Sequence, residues 1–247
     1  MIEDYNELNA NLESLELIKI KELLPSYLDK NIFDSSQLIP FLNNLFKSER
    51  EFRDERAKEI NIKVSNFPYR KTIDEFDFSF QPGLSKSLIM DLMTLRFIES
   101  KENIIFVGLP GTGKTMLSTC IGIEASSNRI STYFISCAKL LDELRKAKYE
   151  NRLDKRLKHY GKYKLLIIDE LGFLPICKDD ANILFQLIAL RYEKSSTIVT
   201  TNIEFSKWGD ILNDSVIATA ILDRLLHHST VINIDGPSYR MKNILNQ

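Results

Sequence analysis

Residues 102–115 read ENIIFVGLPGTGKT and decide the fold of this 247-residue chain. The first half is a short apolar strand, and the second half fits the pattern G-x-x-x-x-G-K-[ST] that leads into a helix. Its glycines allow backbone N–H groups to turn inward around phosphate oxygens. Lys114 supplies a positive charge to the outer phosphates, and Thr115 offers a hydroxyl to Mg²⁺. The stretch predicts a phosphate-binding loop made by Gly108, Leu109, Pro110, Gly111, Thr112, Gly113, Lys114, Thr115 and Met116.

The pattern on either side of this loop predicts an α/β fold. Five short apolar stretches are the predicted strands, at residues 104–108, 131–136, 164–169, 196–201 and 230–234. The segments between them predict helices, at residues 114–126, 138–160, 180–193 and 215–227. Apolar strands that alternate with helices form a parallel sheet covered on both faces. We therefore predict a P-loop NTPase with a five-stranded parallel sheet.

The chain is predicted to contain two domains. Residues 1–66 form a small N-terminal helical domain, and residues 67–247 form the P-loop domain. The aromatic stretch FPYRKTIDEFDFSFQPG, from residue 67, is expected to pack on the P-loop domain, because flexible tethers are not rich in phenylalanine. Only 13 residues follow the last predicted strand, so no full C-terminal helical lid is expected.

Two helical segments are predicted in the N-terminal domain. Pro25 is expected to end the first segment. Ser36 is the expected N-cap of the second, with Pro40 in its first turn and Glu49 on its polar face. The apolar face of the first segment is predicted to consist of Leu8, Leu12 and Leu15.

The overall charge of −1 conceals a basic island. Between Lys139 and Lys164 the chain has ten basic and four acidic residues. Such an island favours an anionic partner, although most runs of charge are solvated helical surfaces. Three distant cysteines predict neither a disulfide framework nor a zinc site. Neither a membrane span nor a signal peptide is indicated, so the expected location is the cytoplasm.

Polar residues end the third and fourth predicted strands. LLIIDE places Asp169 and Glu170 at the carboxyl end of a buried strand, where parallel sheets bind their ligands. Asp169 can hold Mg²⁺ through a water, and Glu170 can orient the attacking water or accept its proton. This pair favours hydrolysis over phosphoryl transfer to a second substrate. After the next strand, Asn202 is the expected sensor of the terminal phosphate, with Thr201 as the second choice.

The helix before the fifth strand carries ILDRLLHHS, residues 221–229. Arg224 lies there among leucines, where an arginine is usually a salt-bridge partner for a neighbour such as Asp223. In AAA+ rings, however, this helix presents an arginine to the ATP of the adjacent subunit, which can raise the rate by roughly 10³ to 10⁵. No metal site is expected at His227 and His228, because adjacent helical residues point to different faces and no third ligand is near.

With these motifs assembled, the chain resembles the IstB family of transposition helper ATPases, relatives of the DnaC and DnaI helicase loaders. The resemblance runs from about residue 5 to about residue 243. The Walker motifs alone would fit very many proteins. The combination of ILDRLLHHS with GPSYR, residues 236–240, and FDFSFQP, residues 76–82, is far more specific.

The resemblance implies an AAA+ ATPase that uses ATP and Mg²⁺. It implies Walker A at residues 108–115, Walker B at Asp169 and Glu170, and a sensor 2 arginine at Arg240. The family binds duplex DNA without strict sequence preference, assembles on it as a homo-oligomer with ATP, and assists a partner transposase of the integrase type. The catalytic roles fall to Lys114, Glu170, Asn202 and Arg224.

The basic island then becomes the predicted DNA contact. It lies between strands two and three, in the stretch that faces the central channel of AAA+ rings. Cations stacked from several subunits would follow a phosphate backbone with an affinity that depends on salt and not on sequence. The predicted DNA-binding residues are Lys139, Arg145, Lys146, Lys148, Arg152, Lys155, Arg156 and Lys158.

Three other functions stay open at this stage. A replicative helicase loader shares the fold but has a protein ring as its partner. A small-molecule kinase would act as a monomer and would have no role for Arg224. A nucleotide-gated scaffold would hydrolyse ATP only incidentally.

Overall fold

A computed structural model describes residues 2–28, 35–173 and 175–241. The chain divides into two compact units, Met1–Ile60 and Asn61–Gln247. The predicted boundary between the helical domain and the P-loop domain, after residue 66, stays a prediction. Among the described residues, no helix has the length and apolar character needed to cross a membrane.

Three helices begin the chain: α1 (Ile2–Ser14), α2 (Ile18–Leu28) and α3 (Ser35–Val64). The predicted apolar face of the first segment is only partly right, because Leu12 is buried whereas Leu8 and Leu15 are exposed. The small core of this unit is formed by Leu12, Ile20, Leu24 and Leu45.

The predicted proline positions are wrong in both segments. Pro25 lies inside α2, and Pro40 lies in the second turn of α3. A proline removes one N–H donor and strains the preceding turn, but it does not forbid a helix that tertiary packing supports.

Glu49 is buried, which corrects its predicted place on a polar face. Its carboxylate accepts hydrogen bonds from the backbone N–H groups of Lys19 (2.8 Å) and Ile20 (3.1 Å). These groups lie in the first turn of α2, where N–H donors have no partner within the helix. Arg53 completes the arrangement with a 2.9 Å bond to the same carboxylate. Glu49, on α3, therefore caps the N-terminus of α2. The two segments are about 30 residues apart, and the hydrophobic periodicity of one helix gives no information on such a contact.

The second unit contains the predicted five-stranded parallel sheet, which is confirmed, in the order β2-β3-β4-β1-β5. Because β4 lies between β1 and β3, the phosphate loop and the ends of β3 and β4 meet at one edge of the sheet. The strands are β1 (Asn103–Gly108), β2 (Thr132–Ser136), β3 (Leu165–Asp169), β4 (Ser196–Thr201) and β5 (Ser229–Ile234).

Helices cover both faces of this sheet. Ile104 enters one apolar cluster with α6, whereas its neighbour Ile105 enters the other with α7, α9 and α11, as the two-residue period of a strand requires. The aromatic stretch packs as predicted, with Phe67 and Phe76 against the α6 side. The helices are α4 (Lys86–Leu92), α5 (Arg96–Glu99), α6 (Lys114–Ser127), α7 (Cys137–Tyr149), α8 (Leu153–Gly161), α9 (Lys178–Arg191), α10 (Trp208–Ile211) and α11 (Ser215–Leu226).

The predicted helix over residues 138–160 is in fact two helices, α7 and α8. Asn151 adopts a left-handed conformation with φ +54° between them. The Arg152 N–H donates to the Ala147 carbonyl, and the Asn151 N–H donates to the Lys148 carbonyl. This pair of bonds is the Schellman ending, in which asparagine can replace the usual glycine. The basic island therefore bends at residues 150–152.

Candidate functional site

The phosphate loop joins β1 to α6. Two of its glycines are needed because other segments of the chain pack too closely against the loop to leave space for a side chain. Gly113 has φ +101°, and a Cβ atom there would lie 2.5 Å from the Phe76 ring. A Cβ atom on Gly108 would collide with the Ile234 carbonyl of β5. The aromatic stretch and the last strand therefore both approach the loop at positions that only glycine can occupy.

Lys114 begins α6 and is almost fully buried. Its Nζ donates to the carbonyls of Gly108 and Leu109, each at 2.7 Å. Burial lowers the pKa of Lys114, and the negative charges of Asp169 and Glu170 oppose this shift. A cation in a site of low dielectric interacts more strongly with an anion than an exposed lysine does. Lys114 is therefore placed to bind phosphate at the helix N-terminus.

Asp169 ends β3 and lies between two hydroxyl donors. Thr115 donates to its carboxylate at 3.0 and 3.2 Å, and Thr200 donates to Oδ1 at 2.6 Å. Burial raises the pKa of Asp169, while the hydrogen bonds from Thr200 and Thr115 and the charge of Lys114 lower it. Carboxylate and hydroxyl oxygens are the ligands that Mg²⁺ prefers, so Thr115 and Asp169 fit this ion.

Thr200 is a site residue that the sequence analysis missed. Besides holding Asp169, its Oγ1 accepts the backbone N–H of Glu170 at 2.9 Å. Glu170 has a left-handed φ of +58°, an unfavourable conformation for a residue with a side chain. Thr200 stabilises this turn, and the exposed Glu170 side chain lines the cavity beside the phosphate loop. A threonine in an apolar strand has no sequence signal beyond its strand preference.

One cavity of about 570 Å³, a volume that suits a nucleotide, is lined by residues 110–116, Glu170 and Arg240 of the predicted nucleotide site. Gly108, Leu109 and Asp169 are not part of its lining. Asn202 and Thr201 both line this cavity, and the Thr201 hydroxyl also accepts the Ile203 N–H at 3.1 Å within its own turn. The backbone N–H of Tyr239 donates to the Gly111 carbonyl at 2.9 Å, which brings Arg240 to the cavity wall.

The aromatic stretch forms a further wall, which the sequence analysis did not predict. Tyr69 and Phe76 supply aromatic surface there, and Gln81 supplies an amide. Gln81 is 3% exposed, and its Nε2 donates to the Pro237 carbonyl at 2.9 Å. Its buried Oε1 packs against Gly236 and has no hydrogen-bond partner among the described residues. This wall suits a purine base.

Arg224 lies in the last turn of α11 and is half-buried. Its guanidinium lies over the Phe185 ring, 4.8 Å from the centroid, and Nη1 donates to the Ala220 carbonyl at 2.9 Å. Within the described part of the chain it pairs with no carboxylate. It does not line the nucleotide cavity of its own subunit. Its role as a finger for a neighbouring subunit stays a prediction.

The reasoning against a third ligand beside His227 and His228 is wrong. α11 ends at Leu226, so the two histidines follow the regular helix, and their ring centroids lie 4.0 Å apart. Glu193 approaches both rings from the turn after α9. The sequence analysis missed this contact because Glu193 is far from both histidines along the chain.

Five of the eight predicted DNA-binding residues already have acidic partners. Arg145, on α7, binds Asp180 with two bonds of 3.0 and 3.3 Å. Lys139, Lys155 and Lys158 are exposed and form no ion pair with any described residue. The ion pairs are Arg145–Asp180, Lys146–Asp142, Lys148–Asp179, Arg152–Glu150 and Arg156–Glu143.

Comparison with known proteins identifies the family. The sequence profile described as "IstB-like ATP binding protein" matches residues 10–246. The ATP-binding protein of insertion sequence IS232 from Bacillus thuringiensis subsp. berliner is 50% identical over 98% of this chain and 97% of that protein. Its counterpart from insertion sequence IS21 of Pseudomonas aeruginosa is 39% identical over 96% of this chain and 89% of that protein.

Solved structures agree on the fold. DnaI has a TM-score of 0.55 at 21% identity, covering 68% of this chain and 90% of that chain. AMPPCP-bound DnaA from Aquifex aeolicus has a TM-score of 0.58 at 18% identity, covering 73% of this chain and 55% of that chain. At these identities the likeness shows the AAA+ fold alone. With the profile match over almost the whole sequence, it follows that the chain belongs to the family of IstB-like ATP binding proteins and is an ATPase of the AAA+ class.

Proposed function

We propose that this ATPase depends on Mg²⁺ and helps DNA transposition, assembling on duplex DNA in its ATP-bound form and recruiting or stimulating a partner transposase. The names of its relatives place them in insertion sequences, which supports the transposition context. The observation that carries the proposal is the hydrolytic arrangement at one sheet edge. There, Lys114 and Glu170 line one cavity and Asp169 bonds to Thr115 beside it, in a chain that matches the family over residues 10–246.

Different residues in and beside the cavity would bind the phosphates, hold Mg²⁺ and activate the attacking water. Lys114 and the N–H groups of the loop would bind the outer phosphates, and the wall that contains Tyr69 and Phe76 would face the base. Thr115 and Asp169 would hold Mg²⁺, which when bound neutralises charge on the phosphates. Glu170 is placed to orient the attacking water or accept its proton, a contribution of roughly 10² to 10⁴ in rate.

The site would be completed by a second subunit. Arg224 lies outside the cavity of its own chain, is half-exposed and has no carboxylate partner among the described residues. A guanidinium held by a ring and a carbonyl can still turn towards a phosphate on a facing subunit. Supplying this charge in trans would make hydrolysis depend on assembly.

The DNA contact would use the free cations of the basic island. Lys139, Lys155 and Lys158 have no ion pair to break within the described chain. Replacing all three with alanine should weaken duplex binding and flatten its salt dependence, because each phosphate contact contributes a slope of about 0.9. ATP binding should not change. Lys101→Ala, an exposed lysine of the turn before β1, is the matched control.

A mixing experiment tests assembly and chemistry together. Glu170→Gln, which should still bind ATP and assemble, and Arg224→Ala should each abolish DNA-stimulated ATP hydrolysis. In a one-to-one mixture, about one quarter of the interfaces combine an intact Glu170 with a neighbour's Arg224, so activity should return. Arg96→Ala, at an exposed arginine on α5, should retain wild-type activity. A mixture no more active than its two components would contradict a finger in trans.

The partner assignment needs its own measurement. Purified protein carrying Glu170→Gln should bind ATP without hydrolysing it and form long-lived complexes on DNA. These complexes should retain an integrase-type transposase in a pull-down and not a replicative helicase. Retention of the helicase instead would favour a loader and reject the transposition proposal.

A further inference from the structure

A cluster of three potential metal ligands lies outside the nucleotide cavity. Glu193 occupies the turn after α9, in a left-handed conformation with φ +57°. His227 is the C-cap of α11, and His228 precedes β5. All three side chains are exposed, and each offers a ligand atom within 4.8 Å of the other two. Among the described residues this is the one such group of histidine, cysteine or acidic side chains.

The distances in this cluster suit a small transition-metal ion. One oxygen of Glu193 lies 3.8 Å from Nδ1 of His227 and 3.5 Å from Nε2 of His228. Ligands on a tetrahedral zinc ion with bonds of about 2.0–2.1 Å are about 3.3–3.4 Å apart. The two distances from Glu193 are within a few tenths of an ångström of this value, and the histidine nitrogens, within 4.8 Å of each other, can approach by side-chain rotation.

We propose that Glu193, His227 and His228 bind a divalent transition-metal ion of the zinc class, with water in the remaining position. Two imidazoles and one carboxylate form a recognised zinc ligand set. The two rings lie 4.0 Å apart and face one carboxylate oxygen, so the three ligands can converge on one cation. Exposure leaves a path for the ion from solvent.

Tyr192 provides an internal check of the geometry. Its hydroxyl lies 2.7 Å from Nδ1 of His227, the same nitrogen that faces Glu193. An ion at this nitrogen must displace the hydroxyl. Tyr192→Phe should therefore tighten metal binding, which a variant that only loosened the local structure would not do.

The bound ion would connect two segments that are distant in sequence. Glu193 follows α9, and the histidines follow the end of α11, one turn after Arg224. Coordination would therefore join the C-terminal ends of these two helices. The ion would stabilise the folded chain, by a free energy that grows with the logarithm of its concentration above the dissociation constant. This binding depends neither on ATP nor on DNA, and therefore stands apart from the proposed transposition function.

The test is a titration of the full chain, without an affinity tag, using Zn²⁺ by calorimetry and Co²⁺ by absorption in excess Mg²⁺. We expect one ion per chain, lost or weakened at least about tenfold in Glu193→Gln and in His228→Gln, since even changes to residues that only hold a ligand in place have such effects. His159→Gln, at the remaining histidine, should bind as the wild type does. Circular dichroism will show that each variant is folded.

Three outcomes would overturn the proposal. Unchanged binding in Glu193→Gln and His228→Gln would place the ion elsewhere. A thiolate charge-transfer band with Co²⁺ would point to the exposed Cys177 instead. Weaker rather than tighter binding in Tyr192→Phe would reject coordination through Nδ1 of His227.

Discussion

Thr200 bonds to both Asp169 and Glu170, and replacing it with valine should weaken the fold and the proposed Mg²⁺ site together. Valine keeps the shape of threonine but removes the 2.6 Å bond to Asp169 and the 2.9 Å bond from the Glu170 N–H. A hydrogen bond to a charged group contributes about 1.5–3 kcal/mol, and a neutral one contributes about 0.5–1.5 kcal/mol. We therefore expect Thr200→Val to lower the free energy of unfolding by about 2–4 kcal/mol.

The same change should weaken Mg²⁺ binding. The hydrogen bond from Thr200 lowers the pKa of Asp169, so its loss lets burial raise that pKa further. Mg²⁺ requires the ionised carboxylate, and loss of such a supporting contact weakens metal binding by about 10–100-fold. At limiting Mg²⁺, the acid side of the pH–rate profile should move to higher pH. The reason is that Asp169, with its raised pKa, stays protonated up to a higher pH and then cannot bind Mg²⁺.

The assay is steady-state ATP hydrolysis over a series of Mg²⁺ concentrations, with urea unfolding of the same samples. Thr201→Val is the matched control, since among the described residues its hydroxyl bonds to the backbone of Ile203 and to neither acid. It should change unfolding by about 1 kcal/mol and leave the Mg²⁺ requirement alone. An unaltered Mg²⁺ requirement in Thr200→Val, or an equal effect in the control, would refute the role assigned to Thr200.

Two further predictions concern buried charges. Asp180→Asn should release the exposed Arg145 from its partner and steepen the salt dependence of duplex binding by about 0.9 per added phosphate contact, read from anisotropy titrations; an unchanged slope would exclude Arg145 from the DNA contact. Arg191 is 1% exposed and donates to the carbonyls of Tyr160 and Tyr163, and burial lowers its pKa to about 9, so it remains charged at neutral pH. Arg191→Met should leave these carbonyls unsatisfied and destabilise the chain by about 3–5 kcal/mol in urea, and a loss below about 1 kcal/mol would contradict this account.

The sequence by itself determined the parts of this protein that are local in the chain. The phosphate loop is contiguous, so its glycines, Lys114 and Thr115 can be recognised from the order of residues alone. The strands are short apolar runs, and their alternation with helices predicted the parallel sheet. Asp169 and Glu170 stood out because acids are unusual at the end of a buried strand. In each case, neighbouring residues contain the whole signal.

Only the tertiary structure decided which distant residues meet. Thr200 contacts Asp169 because β4 pairs with β3, and Gln81 reaches the nucleotide cavity because the aromatic stretch folds back on it. Glu49 caps α2, and Glu193 faces two histidines, although neither contact shows in the periodicity of its own helix or turn. The physical reason is that periodicity records which face of an element is apolar. It does not record which polar partner another element brings to that face.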